Sequence, residues 1–221
     1  KTLYLSYNPL TDINPISNIK ILRSLNITNI KGLDINPLGK LKNLSSLNLS
    51  GCDIYSLESL KDLKKLNDLI LSSNNINDLK FLKDLISLEL LKIDNNQITE
   101  LSYLKNLVNL KTLLIQENFI NEISVLKDFH KLKNLNLNGN KIKDLRPILH
   151  IIETGIAINT HNPMHGLKVE NNPLEYPPLQ TIKEGNLAII RFFKKIDLEG
   201  EDTIYEAKLT LVGEGSSGKT S

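Results

Sequence analysis

A fixed spacing of 22 residues constrains this chain more than any other feature. The block from Leu41 reads LKNLSSLNLSGCDIYSLESLKD, with apolar residues at block positions 1, 4, 7, 9, 14, 17 and 20. The block from Leu63, LKKLNDLILSSNNINDLKFLKD, keeps that frame, as do the blocks from Leu85, Leu107 and Phe129. Position 12 falls at Asn8, Ile30, Cys52, Asn74, Asn96, Asn118 and Asn140, each 22 residues after the last. A period of this length marks a chain built from stacked structural units.

The spacing has a direct physical reading. Positions 7 and 9 alternate with polar neighbours, which predicts a short strand with one buried face. Position 12 follows the strand, where the chain must turn. A buried turn leaves backbone N–H and C=O groups in need of partners. An Asn amide carries two donors and an acceptor, so it can bridge such groups. Stacked blocks then give an asparagine ladder through Asn8, Asn74, Asn96, Asn118, Asn140 and, after the last block, Asn172. Positions 14, 17 and 20 return the chain with their apolar side inward. No block can bury its own apolar face, so neighbours must stack.

This pattern resembles the leucine-rich-repeat family in its 22-residue class, over residues 1–178. The resemblance implies an α/β solenoid: a horseshoe of about eight repeats with a parallel sheet on the concave face. The chain opens with Lys1 inside a repeat, so further sequence is expected upstream. Composition agrees with narrow aliphatic layers: 40% of residues are hydrophobic, yet only 5% are aromatic and Trp is absent.

Two blocks depart from the frame. Cys52 is a small substitute in the ladder slot and reads as a buried, inert thiol. Ile30 cannot bond through its side chain, and Gly32 fills the next apolar slot, so the block from Ile19 is expected to be irregular. Near the end, the ladder slot moves from Asn140 to Asn172, ten residues beyond the repeat spacing. Residues 151–166 hold the excess and read as a surface loop. Its His161 and His165 admit a metal reading, but two histidines alone in a loop are a thin signal for one.

Pro177-Pro178 ends the repeats. Residues 179–196 read as a C-terminal helical cap: a short turn closed by Gly185, then a helix with Asn186 as N-cap. Ile189, Phe193 and Ile196 share one face at helical spacing. Residues 197–203, DLEGEDT, read as an acidic linker.

Residues 204–221 carry a different signal. Lys208–Val212 is a short apolar strand, and Gly213-Glu214-Gly215-Ser216-Ser217-Gly218-Lys219-Thr220 fits G-x-x-x-x-G-K-[ST]. Gly213, Gly215 and Gly218 let the backbone curl so that successive N–H groups, including those of Ser216, Ser217 and Ser221, can point at phosphate oxygens. In such a loop Lys219 neutralises the β- and γ-phosphates and Thr220 ligates Mg²⁺.

Repeats, then the cap PPLQTIKEGNLAIIRFF, then KLTLVGEGSSGKTS together resemble the Roco family of large GTPases. The resemblance implies that residues 204–221 are the first strand and phosphate loop of a Roc domain continuing past Ser221. It implies GTP or GDP with Mg²⁺ as cofactors of the parent, a COR dimerisation domain, a homodimeric parent and a cytoplasmic location. Some members add a kinase domain. No catalytic residue and no bound nucleotide are expected within these 221 residues themselves, because phosphoryl transfer also needs a positioned water and a base pocket.

Net charge is +2 from 27 basic and 25 acidic residues, which gives no general attraction to nucleic acid or membrane. No apolar run is long enough to span a bilayer. The single cysteine fits a reducing compartment. The partner class is therefore protein: the parent's own Roc–COR half or another chain. Strand positions 6, 8 and 10 point away from the core. They are polar in most blocks, but Ile70, Leu90 and Leu114 occupy them in the middle, with Lys92, Asp68 and Asp94 around them. An apolar cluster rimmed by charge suggests a protein-binding patch. Two other functions fit the residues: a free-standing repeat module, as on bacterial surfaces, and the sensor of a P-loop signalling ATPase.

Overall fold

The computed structural model describes residues 1–158 and 166–199. Eight strands of three residues each, β1 (Thr2–Tyr4), β2 (Ser24–Asn26), β3 (Ser46–Asn48), β4 (Asp68–Ile70), β5 (Leu90–Lys92), β6 (Thr112–Leu114), β7 (Asn134–Asn136) and β8 (Gly166–Lys168), form one sheet in chain order. All neighbours are parallel, and block position 7 pairs with block position 7: Leu25 with Leu47, Leu69 with Leu91, Leu113 with Leu135. This is the arrangement the 22-residue frame dictates, since each unit must present the same side chains to the next.

Across the core from the sheet, each block makes a short 3-10 turn, from Asn14–Asn18 through Arg146–Ile148. An acidic side chain two residues ahead accepts the first exposed N–H in five of them: Asp12 with Asn14, Asp34 with Asn36, Asp78 with Lys80, Glu122 with Ser124 and Asp144 with Arg146. These turns cannot satisfy their own leading donors, so a nearby carboxylate stabilises them. Between sheet and turns the core is a continuous aliphatic stack. Leu47, Leu69, Leu91 and Leu113 are fully buried and Leu135 nearly so.

The C-terminal end is closed by α1 (Leu149–Glu153), α2 (Leu179–Lys183) and α3 (Asn186–Glu199). Helix α3 buries Ile189, Phe193 and Ile196, the face read from the spacing. Gly185 adopts a φ of +90° between α2 and α3, a left-handed geometry that glycine takes without penalty.

Three expectations are corrected here. The extra residues after Asn140 do not begin as a surface loop: α1 lies there, and Ile151 and Ile152 are buried, because an apolar Leu149-His150-Ile151-Ile152 run extends the core. Residues 197–199 are helix, not linker. Lys195 pairs with Glu199 at 3.6 Å, Asp197 reaches Arg146 at 3.5 Å, and no breaker precedes Gly200. Asn186 does not serve as expected: its Nδ2 donates to the carbonyls of Ile152 and Ile156, tying α3 to the segment after α1. The block from Ile19 keeps its strand and 3-10 turn but is locally irregular between them, as expected: Gly32 has a left-handed φ of +70°, which the equivalent Ile54, Ile76, Ile98, Ile120 and Ile142 do not adopt.

Candidate functional site

The ladder fixes the geometry on which any binding surface here depends. Asn96 shows the unit. Its Nδ2 donates to the carbonyls of Leu71, Ile93 and Asp94 at 3.0–3.1 Å, and its Oδ1 accepts the Ile76 N–H at 3.0 Å. Asn74, Asn118, Asn140 and Asn172 repeat that set of bonds. Among the described residues the side chain of Asn8, at the exposed first repeat, bonds only within its own turn, to the carbonyls of Leu5 and Ser6. Cys52 copies the donor half: its thiol reaches the carbonyls of Ile27 and Ser50 at 3.3 and 3.5 Å. Burial, ahead of its other influences, pushes that thiol's pKa up, so it is protonated and a donor at neutral pH.

One further position is built into every repeat. The residue before each ladder slot has a left-handed backbone: Tyr7, Asn29, Gly51, Ser73, Asn95, Glu117, Gly139 and Asn171, with φ between +53° and +67°. Asn and Gly at five of these eight places were the available signal, since they tolerate that conformation best. Tyr7, Ser73 and Glu117 obscured it.

With the backbone held so, positions 6, 8 and 10 form three rows across the concave face. Toward the ends, polar side chains satisfy one another: Ser6 donates to Asn26, and Ser50 to Asn48, at 2.6 and 2.8 Å. The centre differs. Ile70, Lys92 and Leu114 are consecutive register partners in one row, and Leu90 precedes Lys92 by two residues on β5. All four are half-buried. Asp68 pairs in register with Leu90, and Asp94 follows Lys92 by two residues. The structure therefore brings the six patch residues onto three adjacent strands, but Lys92 separates Ile70 from Leu114, so the apolar groups flank a cation and do not form one ridge. Asp94 is engaged, accepting from Ser72 at 2.6 Å and Asn95 at 3.1 Å. Burial, and then the charge of Glu89, hold the Asp68 carboxyl above its ordinary pKa.

A family model for leucine-rich repeats, in two copies, matches residues 108–150. Among solved structures, an internalin C2 of Listeria monocytogenes is 31% identical over 66% of this chain, with a TM-score of 0.64. An internalin of the same species is 28% identical over 77%, with a TM-score of 0.54. A leucine-rich-repeat protein of Leptospira interrogans is 26% identical over 80%, with a TM-score of 0.69. The chain folds as a leucine-rich-repeat domain. It spans 65%, 61% and 44% of the lengths of those three chains. A search of the curated proteins returned no match.

Leucine-rich-repeat domains are built around a broad open face, and the other features of this one are local. His130 and His150 meet edge to face with ring centroids 5.0 Å apart, and burial, then His130, lowers the pKa of His150. Lys141 stands 4.9 Å over the ring of Phe119. A cleft of about 580 Å³ at the capped end is lined by Ile158, Val169, Leu179 and Ile182. Among the described residues no three His, Cys, Asp or Glu side chains gather as a metal site, and no helix is long and apolar enough to cross a membrane. His161, His165 and the whole phosphate-loop motif from Gly213 to Ser221 lie outside the described residues.

Proposed function

We propose that this leucine-rich-repeat domain is the protein-interaction and regulatory part of a Roco-type GTP-binding protein, docking its partner on the concave patch. The observation that carries the reading is one of order: helix α3 closes the solenoid at Glu199, and the sequence then runs into KLTLVGEGSSGKTS. A strand-like sequence followed by a glycine-rich motif with Lys219 and Thr220 has the donor set for a nucleotide's phosphates and its Mg²⁺. On this reading the partner is the protein's own Roc–COR half or another protein. The parent is a cytoplasmic homodimer with GTPase activity, and it needs no kinase domain for the role described.

A second reading, a free-standing repeat module, draws on the 31% identity to an internalin. The two differ over nucleotide. The test is binding of fluorescent GTP and ATP analogues, with Mg²⁺, to the longest protein that carries this chain. The proposal expects GTP binding that is lost in Lys219→Ala. A preference for ATP would favour a signalling ATPase, and no nucleotide binding would favour the free-standing module.

A further inference from the structure

The centre of the concave face holds a cation, Lys92, that no described residue pairs. Lys92 is half-buried, yet among the described residues no carboxylate lies within 4.0 Å of its ammonium and the ammonium donates no hydrogen bond. Several exposed lysines of this domain do pair with carboxylates, as with Lys111 and Glu89 at 2.6 Å or Lys143 and Glu175 at 2.7 Å; what sets Lys92 apart is that its row neighbours on both adjacent strands, Ile70 and Leu114, are aliphatic. An unpaired cation flanked by aliphatic side chains is electrostatically complementary to an incoming anion.

The layout around it selects the anion's carrier. Ile70, Lys92 and Leu114 form a row that runs across the strands. Strand spacing is about 4.8 Å, so the row spans roughly 10 Å with the cation at its middle. An α-helix laid along the row places side chains i, i+4 and i+7 at steps of about 5 Å on one face, over roughly 10 Å in all. An extended segment sets its same-side residues about 6.6 Å apart and runs out of register within two steps. The rows on either side carry Asp68 and Asp94. They penalise a carboxylate displaced along the strand in either direction, so they confine it to Lys92.

We propose that the concave face docks an amphipathic helix of a partner protein, lying across β4, β5 and β6, with apolar side chains at i and i+7 packed on Ile70 and Leu114 and a carboxylate at i+4 paired with Lys92. Leu90, beside Lys92 on β5, covers the stem of the acidic residue and excludes water from the pair. The inference rests on the protein-binding reading of this face and is independent of the nucleotide reading.

The test uses a phage-displayed library of 14-residue helical peptides, with Leu fixed at i and i+7 and the remaining positions of that face randomised, selected against the full chain and against its Lys92→Glu variant. The full chain should enrich Glu or Asp at i+4, and Lys92→Glu should enrich Lys or Arg there. A selected peptide with Glu at i+4 should bind the full chain about tenfold more tightly than its Lys counterpart, the low end of coupling for close interfacial charge pairs. That ratio should shrink as NaCl rises. Equal enrichment of acidic and basic residues, an unchanged preference in Lys92→Glu, or no enrichment at all would overturn the inference. The variant Ile70→Ser/Leu90→Ser/Leu114→Ser separates the levels. If it abolishes binding of selected peptides while Lys92→Glu changes nothing, the face binds protein but not in this way. If selected peptides ignore both variants, the patch itself is not the site.

Discussion

Asn74 holds the backbone of the repeat before its own: its side-chain oxygen accepts the Ile54 N–H at 3.0 Å. The same reach recurs at Asn96, which also bonds the carbonyls of Leu71, Ile93 and Asp94. Asn96→Ala strands several buried backbone groups at once, and each costs roughly 1–3 kcal/mol when unsatisfied. A loss of about 3 kcal/mol is expected in urea unfolding followed by circular dichroism. Asn96→Cys should lose less, because a thiol supplies the donor half as Cys52 does. Equal losses for Ala and Cys would show that the donor half contributes nothing.

The reverse substitution tests the same principle from the weak rung. Cys52→Asn restores an acceptor toward the block from Ile19, and a gain of about 1 kcal/mol is expected. A destabilised Cys52→Asn would mean that the first repeats have repacked around the thiol.

Gly139 has a φ of +62°, and a Cβ there would run into the Glu117 side chain. An L-residue in that conformation costs about 1–2 kcal/mol. Gly139→Ala should lower stability by about that much. Gly139→Ala combined with Glu117→Ala should recover the steric part but not the backbone part. Full recovery in the double variant would remove the backbone argument.

His150 sets a pH dependence. Burial, and then the neighbouring His130, depress its pKa below the ordinary 6.5, while backbone hydrogen bonds to Phe129 and Pro147, and then Glu153, oppose them. Below pH 6.5 the unfolded chain therefore binds a proton that the folded one resists, so stability falls as pH drops from 6.5 to the folded pKa and then levels. Above 6.5 this residue leaves stability unchanged. Thermal melts from pH 7.5 to 5 should show the decline, and His150→Gln should flatten it. An unchanged slope in the variant would assign the decline to other groups.

The repeat frame made most of this fold legible, for a physical reason. A unit that cannot bury its own apolar face must stack, so Leu47, Leu69, Leu91, Leu113 and Leu135 could be placed in the core and Asn74 to Asn140 in the ladder from spacing alone. The left-handed position before each ladder slot stayed hidden because Tyr7, Ser73 and Glu117 tolerate it only under tertiary constraint. Helix α1 was missed because an apolar run in an off-period insertion carries no frame to read it by. The patch residues were visible as breaks in a polar pattern. That the Lys92 ammonium meets no carboxylate among the described residues was not, since pairing depends on where side chains end and not on where they start.

On the proposed reading, the middle of the concave face is where this domain meets its partner protein. The direct measurement substitutes Ile70, Leu90 and Leu114 together by Ser in the longest protein that carries the chain, then reads partner affinity and nucleotide turnover while circular dichroism monitors the fold. An unchanged fold with weakened partner binding, altered turnover, or both is expected. An intact fold with both quantities unchanged would contradict it.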